Sequence, residues 1–303
     1  MLMQLASQRS RHSMVRKSCR SRCFSTAGEH IVSVINGNPV LVRETFAKET
    51  HLFGTGQRPD GSGGDLTGLR VWEAAPKLVK HLERHADTCL LGKTVLDLGT
   101  GTGAVGLAAA ALGAKHVVLS DADSTATVST DNGYETSSVL QELRMNVALN
   151  PASVQSAVSV EPLQWGDTSH MAALLARFPS GFDTIISSDT LYYKPEETYD
   201  ALATTIRSLS SPNATVVLAY MVRHGHEHSF VDLLVTGNSV VPQATDIVEE
   251  ANEEEAEGTR RRVPQFEVAS RNAADLASPT TASHATRVVH VELRRCRPAN
   301  SHV

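Results

Sequence analysis

Short apolar runs alternating with helix-patterned segments predict an α/β protein, a doubly wound and mostly parallel sheet. Three observations carry this. Val95-Leu96-Asp97-Leu98 ends in Gly99-Thr100-Gly101-Thr102-Gly103, a strand that breaks into alternating glycines, where positive φ and close backbone approach are easy. The Ala- and Leu-rich segment from Ala104 to Leu112 reads as the helix whose N-terminus faces a ligand. The run His116-Val117-Val118-Leu119-Ser120 ends in Asp121, about 20 residues beyond the first glycines, where an acid can take two ribose hydroxyls. Together these describe a βαβ unit for an adenosine-containing cofactor.

The elements follow in order. Residues 1–28 contain no Asp or Glu, and Arg9, Arg11, Arg16, Lys17, Arg20 and Arg22 are interleaved with serines. That is the composition of an organellar transit peptide, and equally of a disordered basic tail. Cytoplasmic location is the expectation, with mitochondrial import the alternative raised by this N-terminus. Residues 29–303 are expected to form one domain. It opens with a hairpin, Ile31-Val32-Ser33-Val34 and Val40-Leu41-Val42 flanking Asn36-Gly37-Asn38-Pro39. Gly54 to Gly68 reads as a loop. Val71, Ala75, Leu78, Val79 and Leu82 recur at helical spacing and predict a helix over 71–84. The core alternates strand 94–98, helix 104–113, strand 116–120, helix 137–149, strand 156–160, helix 169–177, strand 182–187, helix 196–209 and strand 213–220. A helix at 225–235, a broken segment and a strand over 286–294 close the chain. Ser/Thr/Asp-rich residues near 124–136 and residues near 236–265, with the charge run Glu249 to Arg262, read as insertions. The first follows Asp121 directly and is placed to cover the adenosine pocket.

Bulk properties exclude several classes. The 303 residues are 41% apolar, enough for a substantial core. A formal charge of −5 gives no broad basic field, so nucleic acid is not a favoured partner. No apolar run approaches the roughly 18 to 20 residues of a membrane-spanning helix. Cys19, Cys23, Cys89 and Cys296 lack metal-ligand or disulfide-framework spacing, so no metal is expected.

Two cofactor classes fit the glycines, because Gly101-Thr102-Gly103-Ala104-Val105-Gly106 also satisfies G-x-G-x-x-G. Asp97 separates them. An acid beside the loop repels a pyrophosphate but attracts the ammonium and sulfonium of S-adenosyl-L-methionine. The purely structural alternative is that Asp97 accepts hydrogen bonds from the loop amides and that Asp121 caps the segment after it. Trp72, the turn Leu163-Gln164-Trp165-Gly166 and Ser187-Ser188-Asp189-Thr190-Leu191-Tyr192-Tyr193 also fall where a cofactor and a substrate would meet.

With these pieces in place, the sequence resembles the seven-β-strand protein-lysine methyltransferases of the methyltransferase 16 group. The matching residues are Gly68-Leu69-Arg70-Val71-Trp72-Glu73-Ala74-Ala75, Val95 through Gly103, Leu119-Ser120-Asp121, the Leu-x-Trp-Gly turn at Trp165, and Asp189-x-x-Tyr192. The resemblance covers about half the chain. It implies a Rossmann-like, seven-stranded class I methyltransferase fold with an antiparallel C-terminal strand, S-adenosylmethionine as cofactor, and a protein substrate presenting a lysine. It further implies that Trp72, Gly99, Thr100, Gly101, Gly103, Asp121, Trp165 and Ser188 bind the cofactor. Asp97 would lie by its methionine end and Trp165 beside the adenine. Asp189 and Tyr192 would border the acceptor channel, Asp189 orienting the amine and Tyr192 shaping or hydrogen bonding to it. The departures are the long 124–136 insertion before Leu143-Arg144-Met145-Asn146 and a serine at 188, where relatives often carry alanine.

The rival expectations are a methyltransferase acting on RNA or a small molecule, and a non-catalytic scaffold retaining the fold. The two prolines of an Asn/Asp-Pro-Pro-Tyr turn are missing from Ser188-Asp189-Thr190-Leu191-Tyr192, which argues against RNA base methylation.

Overall fold

The computed structural model describes residues 28–35, 37–44, 67–130, 133–192, 195–222, 227–236, 266–274 and 287–295. The basic tail up to residue 27, most of the expected 54–68 loop, the 249–262 charge run and three of the cysteines lie outside them.

The hairpin forms as β1 (Gly28–Ile35) against β2 (Asn38–Glu44), antiparallel, with Gly37 at φ +82° in the turn. A 3-10 turn (Thr67–Leu69) leads into α1 (Ala74–Arg84), which buries Ala75, Leu78, Val79 and Leu82, the stripe read at helical spacing. A short α2 (Ala86–Cys89) follows, and then the alternation: β3 (Thr94–Leu98), α3 (Ala104–Ala111) and β4 (His116–Asp121). Next come a second hairpin, β5 (Thr125–Thr130) with β6 (Gly133–Ser138), then α4 (Val139–Ala148), α5 (Ala152–Gln155), β7 (Val158–Pro162) and α6 (Thr168–Arg177). The chain continues through β8 (Phe182–Ser188), α7 (Pro195–Leu209), β9 (Ser210–Val222) and α8 (Glu227–Thr236), ending in β10 (Phe266–Ala274) and β11 (Arg287–Arg295).

Seven strands form one sheet in the order β10-β11-β9-β8-β3-β4-β7. The five from β9 to β7 are parallel, and β11 joins β9 antiparallel, as the C-terminal strand was expected to. Side chains alternate between two helical layers. Val95, Val117, Leu119 and Ile186 pack with α1, α3, α4 and the β1–β2 hairpin, whereas Leu96, Leu98, Val118 and Ile185 pack with α6, α7 and α8. Covering both faces explains why the central strands are apolar runs without polar alternation.

Three sequence readings need correction. The 124–136 insertion, to which the sequence pattern assigned no regular structure, contains a paired β-hairpin. The broken segment before the last strand contains β10, paired antiparallel with β11. Strand β9 begins at Ser210, ahead of Pro212, because a register irregularity between Phe182 and Thr184 on β8 lets the proline sit out of the ladder.

The order reverses at β3. From β3 the sheet extends one way through β4 and β7 and the other way through β8 and β9. Such a switch point opens a crevice at the carboxyl ends of its strands.

Candidate active site

A cavity of about 390 Å³ lies at that switch point, with walls contributed by residues from Thr67 to Thr198. The volume is in the range of small-molecule sites.

The glycine loop forms its floor. Gly99 and Gly101 have φ +66° and +54°, a conformation open to glycine at little cost. The space left by their missing Cβ atoms is filled by protein, not held for a ligand. A Cβ on Gly99 would come within 2.7 Å of Thr190 Cγ2 and 3.0 Å of Trp165 Cζ2, and one on Gly101 within 2.9 Å of the Gly68 carbonyl oxygen. The glycines thus allow three separate segments to close over the loop. Gly103 lies off the cavity: it caps α3, and a Cβ there would meet Leu143 Cδ1 at 2.6 Å. Of the expected cofactor residues, Gly103 is the one the structure does not bring to the cavity wall.

Two carboxylates brace the same loop. Asp97, 1% exposed, accepts on Oδ2 from the Gly106 amide (2.8 Å) and from the Thr100 hydroxyl. Burial pushes its carboxyl from 3.8 up to about 7, against the pull of those two donors, and the charge of Asp121 adds to the rise. The structural alternative raised for Asp97 is thus present, and the same carboxylate borders the cavity. Asp121 behaves alike. Its Oδ2 accepts from Gly101 N and its Oδ1 from Ala122 N, both at 2.8 Å, while the side chain lines the cavity.

The remaining walls come from distant segments. Trp165 lies half-buried over Gly99, and Trp72 donates its indole N–H to the Thr67 carbonyl at 2.9 Å. The Arg70 guanidinium sits 5.1 Å from the centre of the Trp72 ring. At the end of β8, Ser188 Oγ is buried without a hydrogen-bond partner and borders the cavity. Asp189, 4% exposed, has φ +57°, unusual for a residue with a side chain. Its amide donates to the Ala219 carbonyl (2.7 Å) and its Oδ1 accepts from Met221 N (3.2 Å), so β9 holds it in that conformation. Tyr192 closes this wall, its hydroxyl 3.0 Å from Thr67 Oγ1.

Trp72, Asp97, Gly99, Thr100, Gly101, Asp121, Trp165, Ser188, Asp189 and Tyr192 are thus gathered around one cavity, as expected of site residues. Sequence reasoning singled out neither Thr67 nor Arg70 as a site residue, whereas Thr190 and Ser124 belong to segments it placed beside the site. Thr67 sits within a Gly/Asp/Ser run without periodicity, while Arg70 lies two residues before Trp72 and was open to notice.

A model of the family described as lysine methyltransferase matches residues 60–236, more than half the chain and the whole span of the cavity walls. The chain belongs to the lysine methyltransferase family. It is 35% identical over 162 residues to protein N-lysine methyltransferase METTL21A of Danio rerio, covering 53% of this chain and 64% of that one. It is 30% identical over 200 residues to EEF1A lysine methyltransferase 3 of Xenopus tropicalis, covering 64% and 78%. The chain thus spans just under two thirds of the METTL21A relative. A Streptococcus mutans structure described as a SAM-dependent methyltransferase superposes with a TM-score of 0.50 at 12% identity, over 88% of this chain and 55% of that one, which shows the shared fold.

The residues of this lysine methyltransferase family member fit S-adenosylmethionine. Among the described residues, Asp97, Asp121 and Asp189 stand around the cavity against the Arg70 guanidinium, a charge balance suited to an ammonium and a sulfonium and poor for a pyrophosphate. The Ser188 hydroxyl, buried at the cavity without a protein partner, is a polar group a ligand there could pair with.

Proposed function

We propose that this chain is an S-adenosylmethionine-dependent methyltransferase whose acceptor is a lysine side chain of a protein. The observation that carries it is the lysine methyltransferase match over residues 60–236, because that span includes every wall of the cavity. The relatives named as protein lysine methyltransferases support the protein acceptor.

When bound, S-adenosylmethionine supplies a methyl carbon whose bond to a positively charged sulfur breaks as the amine's new bond forms. The chain's task is alignment and exclusion of water, which can be worth effective molarities of roughly 10⁵ M or more. Asp97 would hold the ligand's ammonium through Oδ1, since both of its present hydrogen bonds fall on Oδ2. Asp121 would take the ribose hydroxyls and Trp165 would lie against the adenine. Asp189, fixed by β9, would orient the incoming lysine ammonium, which sheds its proton to water before transfer. Tyr192 would border the path of that side chain.

Calorimetric titration of the full chain with S-adenosylmethionine and with NAD tests the cofactor. Micromolar binding of the first alone is expected; binding of neither would favour a scaffold that keeps the fold. Asp189→Ala should lower methyl transfer about 100-fold with cofactor affinity unchanged. Full activity in that variant would overturn the role given to Asp189.

A further inference from the structure

We infer that Thr67 is a positioning residue that fixes Tyr192 over the acceptor side of the cavity and couples it to Trp72 on the cofactor side. The inference rests on the proposed methyltransferase reading for what Tyr192 borders. Its geometry stands independently.

Thr67 engages two cavity walls through two different groups. Its backbone carbonyl accepts the Trp72 indole N–H at 2.9 Å, and its hydroxyl meets the Tyr192 hydroxyl at 3.0 Å, across 125 residues of sequence. All three side chains border the same cavity. Tyr192 follows β8 on a turn outside the regular sheet, where a long side chain has rotational freedom to lose. Leu191, 1% exposed, anchors the backbone beneath it, and Thr67 holds the far end of the ring. Branching at Cβ narrows the χ1 choices of the threonine, and the hydroxyl is the group that meets the Tyr192 ring's end. The 3-10 turn at Thr67–Leu69 is held in turn, since Gly68 packs against Gly101 and the Val71 amide donates to Glu44 Oε1 at 2.6 Å. A displacement of the Tyr192 ring by about 1 Å is enough to cost alignment at a reacting centre. The latch thus acts on the acceptor's approach and not on the cofactor's contacts with the glycine loop.

The test uses the full chain as wild type, Thr67→Val, Thr67→Ser, Tyr192→Phe and the Thr67→Val/Tyr192→Phe pair. Valine keeps the branched shape and the carbonyl that holds Trp72, and removes only the hydroxyl. Two readouts are taken: calorimetric affinity for S-adenosylhomocysteine, and transfer of tritiated methyl groups from S-adenosylmethionine to the proteins of a heat-treated cell extract. Thr67→Val is expected to keep its affinity within twofold and to lose about tenfold in transfer, the scale of one hydrogen bond. Thr67→Ser should recover most of the transfer. The paired variant should be no worse than its worse single parent, because both changes break the same contact. Wild-type transfer by Thr67→Val, or losses that multiply in the pair, would overturn the positioning role. A wild-type chain that transfers no methyl at all would instead overturn the protein-lysine reading, and the role of Thr67 with it.

Discussion

Asp97 carries opposing demands in one side chain. Its carboxyl titrates near 7 in the folded chain and near 3.8 when unfolded, so between those values the folded state binds more protons. Stability therefore falls as pH rises through that window. The cost of the buried charge is absent below about pH 4 and fully present above about pH 7, on the order of a few kcal/mol. Urea unfolding at pH 5 and pH 7.5 should show wild type losing stability relative to Asp97→Asn, and parallel behaviour of the two would sink this account. A ligand ammonium favours the ionised carboxylate, so cofactor affinity should weaken as pH drops below 7. Ser188 presents a related balance. A buried hydroxyl without a partner costs about 1 kcal/mol or more, so Ser188→Ala should raise the melting temperature of the free protein and weaken S-adenosylhomocysteine binding several-fold. If binding is unchanged or tighter, the hydroxyl has no ligand partner.

Helix α4 shows how an element can be read for its type and missed for its purpose. Its apolar residues Leu140 and Leu143 mark a helix, yet its most consequential residue is Asn146, 2% exposed. The Asn146 amide donates to the Thr102 carbonyl behind the glycine loop (2.9 Å) and to the Arg43 carbonyl (3.2 Å), and its Oδ1 accepts from Arg43 N (2.8 Å). Asn146→Ala leaves buried peptide groups unpaired and should cost about 3 kcal/mol in urea unfolding, with weaker cofactor binding as the loop loosens. A loss below about 1 kcal/mol would show that water replaces the amide. The β5–β6 hairpin was missed for a different reason. Its Ser/Thr content looks like a loop, although the sequence Asn132-Gly133 is a hairpin signal. Among the described residues strand β10 pairs with β11 alone, at the sheet's edge, so no long apolar run marks it.

Across the molecule, legibility followed burial and locality. Val117, Val118 and Leu119 are each fully buried, and a run that is apolar on both faces announces a central parallel strand. Asp97, the glycines and Asp121 were legible because one βαβ unit places them together within 25 residues of sequence. Thr67 reaches the same cavity as Asp97 and Tyr192 only because distant parts of the chain meet there, which no local pattern encodes. Another long-range device has a consequence for solubility. Leu41 and Arg43 of β2 each engage their peptide N–H and C=O with a side-chain amide, Asn150 for the first and Asn146 for the second. The small hairpin stands outside the seven-stranded sheet, and an open strand edge there would be a template for another molecule to extend. Two asparagines one helical turn apart occupy that edge as a mock strand, so the hairpin is protected against edge-to-edge aggregation on that side without a third β-strand.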